Sequence, residues 1–110
     1  MANGLLGRAR LAAATITQLG QPVDAGKVKV VNINMVNCGA TDALVRIAVS
    51  TSAILQDADW LEYDAKLAPA GTNANVIERT AVILSGGERV FVYASTANVS
   101  AVAYAMERLA

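Results

Sequence analysis

Residues 30–39 read V-V-N-I-N-M-V-N-C-G. In this stretch Val31, Ile33 and Met35 alternate with Asn32, Asn34 and Val36. Successive side chains of an extended chain point to opposite faces, so the alternation predicts a strand with one buried side. The same period of two recurs downstream. Val45, Ile47 and Val49 alternate with Arg46, Ala48 and Ser50, and Leu61, Tyr63 and Ala65 with Glu62, Asp64 and Lys66. Residues 76–84, 89–95 and 99–108 complete the set. In the last run Val99, Val102, Tyr104 and Met106 fall on different sides. A strand that is apolar on both faces needs a covering partner.

Turn chemistry separates these runs. Gln21, Pro22 and then Asp24 to Gly26 divide the first strand from the second, Cys38 to Ala40 reverse the chain, and Pro69 and Gly71 end the strand after Tyr63. Gly86 and Gly87 accept positive φ without a Cβ clash, which predicts a hairpin between the flanking strands. Residues 52–60 break the pattern, and Asp57 is placed to cap a single helical turn there. Seven or eight short strands with regular turns and no long helix predict an all-β fold, an antiparallel, jelly-roll-like β-sandwich.

Residues 1–14 differ from the rest. Leu5, Leu6, Ala9 and Leu11 would share one face of a short helix, which Gly4 and Gly7 weaken. The expectation is an N-terminal arm over residues 1–14 that orders against the body or a neighbouring subunit, with residues 15–110 as the sandwich domain. A frayed tail is the alternative.

Composition bounds the function. With 110 residues there is room for one domain, and folding hides about 65% of the surface of such a chain. The absence of histidine removes imidazole bases and most zinc sites. A lone cysteine makes no internal disulfide, and nine basic against nine acidic residues give no basic surplus for nucleic acid. No apolar run is long enough for a membrane helix, and Arg8 and Arg10 interrupt the first apolar stretch, so neither a membrane span nor an export signal is expected. The apolar fraction, 55%, exceeds what one small core easily hides, which points to partners.

Candidate chemistry is sparse. Asp57, Asp59, Glu62 and Asp64 form an acidic group without the glycine of a calcium loop, and the alternation puts Glu62, Asp64 and Lys66 on one solvated face. Residues 20–27 miss the phosphate-loop spacing, and Val28 stands where a magnesium-binding hydroxyl is needed. Asn98, Val99 and Ser100 form a glycosylation tripeptide, relevant only in a secreted eukaryotic chain. Cys38 is expected as a small buried thiol, kept reduced in a cytoplasm. No catalytic residues, cofactor or metal are expected. Glu78, Arg79 and Thr80 interrupt an apolar run. They mark an exposed or edge strand, or let Arg79 or Arg46 reach a neighbour's carboxylate.

Three stretches together carry a family resemblance. They are residues 30–39, quoted above; residues 45–63, with V-R-I-A-V-S-T-S and D-W-L-E-Y; and residues 77–99, I-E-R-T-A-V-I-L-S-G-G-E-R-V-F-V-Y-A-S-T-A-N-V. Over roughly residues 5 to 107 the chain resembles small β-sandwich virion proteins of tailed bacteriophages. Ala103, Tyr104 and Ala105 stand where that pattern often closes with a glycine. The resemblance implies a structural role on the particle, either capsid decoration or cement, or a neck or tail component. It implies the virion as location, after folding in the bacterial cytoplasm. The implied partners are copies of itself, expected as a trimer, and the major capsid protein or neck and tail proteins. The expected contact residues are Leu5, Leu6, Arg8, Arg10, Leu11, Arg46 and Arg79. The rival reading is a carbohydrate-binding attachment module with Trp60 stacking on a sugar ring.

Overall fold

The computed structural model describes residues 3–110. Eight strands follow in the order β1 (Gly4–Arg10), β2 (Thr17–Leu19), β3 (Lys27–Asn37), β4 (Ala43–Ser50), β5 (Trp60–Leu67), β6 (Val76–Ser85), β7 (Arg89–Ala94) and β8 (Val99–Leu109). A single 3-10 turn, Asp57–Asp59, precedes β5. The strands form two four-stranded sheets, β1-β8-β3-β6 and β2-β7-β4-β5, with every neighbour antiparallel. All connections except β4 to β5 cross from one sheet to the other. This is the winding of a jelly-roll sandwich.

The period-two pattern fills the space between the sheets. Val31, Ile33 and Met35 from β3, Val45 and Ile47 from β4, and Val90 and Val92 from β7 are all fully buried there. The apolar residues that point inward from β8, Val99, Ala101, Ala103 and Ala105, are all small. One polar residue sits among them. Asn37 donates through Nδ2 to the carbonyls of Thr41 (2.8 Å), Leu67 (3.3 Å) and Ala68 (3.0 Å), and its Oδ1 accepts from the Gly39 N–H at 2.9 Å. These bonds satisfy a buried amide and tie the end of β3 to the end of β5 in the opposite sheet. At the other end of β3, Glu107 turns inward between Lys27 (3.8 Å) and Lys29 (3.7 Å), where the apolar pattern runs out.

Four sequence expectations are corrected. First, residues 4–10 are not a helix face. They form the edge strand β1, paired to β8, and Leu11 is buried in the core. The two glycines act here by size. A Cβ on Gly7 would lie 2.6 Å from the Gly20 nitrogen, and one on Gly20 would strike the Leu6 carbonyl oxygen. Their bareness lets the first two strands of opposite sheets close together. Second, Gly86 and Gly87 do not join a hairpin: β6 pairs with β3, whereas β7 pairs with β2 and β4. Gly87 does adopt positive φ (85°), but its N–H donates to Val23 O, so the turn passes the chain between sheets.

Third, Leu61 and Tyr63 are exposed rather than buried. The register slips between Val45 and Ile47, and Asp64 takes φ +54°. Such a bulge shifts the facing of a strand by one residue. It separates Asp64 from Glu62, which the simple alternation had put on one face. Fourth, the turn at 57–59 is not capped by Asp57. Gln56 holds the cap position, and its N–H donates to Asp59 Oδ2 at 2.8 Å.

Candidate functional site

The outer face of the β2-β7-β4-β5 sheet carries a built cluster. Arg46 and Tyr93 sit side by side on β4 and β7. The bulge in β5 brings Asp64 and Tyr63 to the same place. The Arg46 guanidinium lies 4.0 Å from the Tyr63 ring centre, 4.4 Å from that of Tyr93 and 5.8 Å from that of Trp60. Its Nε donates to Asp64 Oδ1 at 2.7 Å. Trp60 and Tyr63 meet edge to face, with ring centres 5.3 Å apart. The hydrogen bond to Asp64 raises the Arg46 pKa above its ordinary value, against a smaller opposing effect of burial. Arg46 is therefore a fixed cation, held by a carboxylate and stacked on aromatic faces. Asp57, Trp60 and Tyr63 line an open groove of about 410 Å³ beside it.

The same face is covered further along. Phe91 and Ala48 are directly paired and both buried, yet neither belongs to the core between the sheets. The 3-10 turn of the β4–β5 connection lies beside β4.

The outer face of the β1-β8-β3-β6 sheet is different. The pairing sets its outward side chains in rows. Arg8, Val102, Asn34 and Glu78 form one row, and Met106, Val30 and Ile83 another. Leu5 and Tyr104 lie between the two rows. Ile83, Leu5 and Met106 are 67%, 61% and 55% exposed. Shallow hollows occur over Val30, Asn32, Tyr104 and Met106 and over Arg8, Arg10 and Val102.

The expected contact residues thus scatter. Leu5, Arg8 and Arg10 are exposed on this bare face, Leu6 is half-buried against the core, and Leu11 is within it and drops out of any contact surface. Arg79 points between the sheets from the edge strand β6 and pairs with Glu62 of the opposite edge strand at 3.0 Å. Both it and Arg46 therefore pair within the chain. Of the acidic group, Asp59 caps the turn, Glu62 pairs with Arg79 and Asp64 with Arg46. Among the described residues no cluster of potential metal ligands occurs. Cys38 is exposed, contrary to the expected burial, because it lies in the turn beyond β3. No helix among the described residues is long and apolar enough to cross a membrane.

Sequence reasoning missed Tyr63, Tyr93 and Asp64 as partners of Arg46. They come from two other strands, and only pairing register unites them. It also missed Ile83, whose facing depends on the irregularity in β6 near Ala81, where φ is +56°.

No family model and no curated protein matches the chain. Among solved structures, the chain is similar to a pentameric capsid protein isolated from metagenomic phage sequences. The identity is 20% and the TM-score 0.46, over 97% of this chain and 61% of that one. A second structure of such a protein, solved by iodide phasing, gives 20% identity and a TM-score of 0.45, over 94% of this chain and 60% of that one. The chain thus spans about three-fifths of the length of these neighbours.

Proposed function

We propose that the chain is a non-enzymatic structural protein of a bacteriophage particle, acting as capsid decoration or cement. The observation that carries this reading is the bare apolar face of the β1-β8-β3-β6 sheet. A monomer rarely leaves a contiguous apolar patch of this kind open, and a protein that fills gaps between other proteins needs one. The sequence resemblance to phage virion proteins supports the same role. Repetition on a particle makes a modest contact strong through effective concentration.

Antibody labelling of the phage that encodes this chain tests the reading. Gold on the shell of purified particles is the expected result. Particles without the protein, together with turnover of a small compound by the purified chain, would overturn it.

The groove at Trp60 favours one second reading, attachment to a host glycan. Jelly rolls serve both capsids and lectins, so the fold does not decide. Stacking needs an exposed aromatic, and Tyr63 beside Trp60 supplies one. Saturable binding on a glycan array, lost in Trp60→Ala, would move the assignment to attachment.

A further inference from the structure

The rows on the bare face contain a relation that one molecule does not use. Arg8 and Glu78 end the same row on opposite edge strands, β1 and β6. Three inter-strand spacings separate them, about 14 Å, too far for the two side chains to meet. Among the described residues neither has an ion pair. Between the two charges this row holds only Val102 and Asn34, and the next row holds Met106, Val30 and Ile83; the face's further charges, Arg10 on β1 and Arg108 on β8, lie toward its two ends.

We propose that this face is where two copies of the chain meet, related by a two-fold axis that runs along the strands between β8 and β3. Such an axis preserves the position along each strand and exchanges the two edges of the sheet. It sets Arg8 of each copy opposite Glu78 of the other, so two ion pairs form at once. It sets Met106 opposite Val30 and Tyr104 opposite Asn32, each contact occurring twice. A two-fold interface must be complementary to itself in this way. A row with its cation at one end and its anion at the other meets that condition for this axis. An axis perpendicular to the strands would keep each edge against itself and displace Arg8 from the charge it needs. Two sheets can pack face to face with strands roughly aligned, the geometry already used inside the sandwich.

The proposal replaces the expected trimer with a pair. It rests on the reading that this bare face is a contact surface and deepens it by naming a second copy as what covers it. A monomeric protein that still labels the shell would remove the pair alone, and a dimer absent from purified particles would remove the particle role alone.

Sedimentation equilibrium of the purified chain tests it. The expected species has twice the monomer mass of 11.4 kDa. Ile83→Asp and, separately, Met106→Glu should each give a monomer with an unchanged far-ultraviolet spectrum. Arg8→Glu alone or Glu78→Arg alone should weaken the pair by about tenfold or more, from two exposed ion pairs lost together. The double exchange R8E with E78R should restore the wild-type constant. A wild-type protein that is monomeric at every concentration, or trimeric, overturns the proposal. So does a dimer that survives both Ile83→Asp and Met106→Glu, and so does a double exchange that restores nothing.

Discussion

On the outer side of the β2-β7-β4-β5 sheet, Phe91 and Ala48 are buried and Arg46 is stacked, paired and fixed. On the outer side of the β1-β8-β3-β6 sheet, Ile83 and Met106 stand in solvent, and Arg8 and Glu78 have no ion-pair partner among the described residues. Both sheets have four strands and both contribute to one core. The β4–β5 link is the one that stays within a sheet, and its 3-10 turn lies beside β4. Nothing among the described residues does the same for the other sheet. One face holds its cation within the chain, and the other carries the contact proposed above.

Three experiments break or sharpen this contrast. The largest effect should be equal on both sides, because the core is shared. Ile33→Ala in β3 and Ile47→Ala in β4 should each cost about 2–5 kcal/mol in urea unfolding, since both side chains are fully buried. Two separate transitions, or a lowered m-value, in either variant would mean that the two sheets do not unfold as one unit. The next effect belongs to the self-satisfied face. A double-mutant cycle on Trp60 and Tyr63 should give a coupling of about 0.5–1.5 kcal/mol, the worth of an edge-to-face aromatic pair. No coupling would mean that the cluster is not rigid in solution. The smallest effect belongs to the bare face. Ile83→Ser should change the stability of the monomer, measured at high dilution, by no more than about 0.5 kcal/mol. A larger loss would show that Ile83 packs within its own chain and that the face is not bare.

Much of this was legible in the sequence, for a physical reason. β3, β4, β7 and β8 have buried faces, so their patterns are enforced residue by residue, and the apolar outer side of β8 already announced a missing cover. The sandwich class followed from these strands and their turns. The facing of β5 was not legible, because a non-glycine residue at positive φ, Asp64, leaves no mark in composition. β1 was misread because glycines that lower helix propensity serve equally well for a close approach between sheets. The Gly86–Gly87 turn was misread because a tight turn fixes the local path and not the sheet to which the next strand goes. The Arg46 cluster was out of reach for the same cause. Its members lie far apart along the chain, and only strand order makes them neighbours.

The exposed turn beyond β3 has a practical consequence. Cys38 is the single thiol of the chain and lies in solvent at one end of the strands. A nitroxide attached there gives each molecule one paramagnetic address. Around an axis parallel to the strands, two such labels fall at the same end of the assembly; around an axis across the strands, they fall at opposite ends. Electron–electron dipolar spectroscopy on one labelled protein therefore reports the direction of any symmetry axis, without a lattice and without a second site to modify.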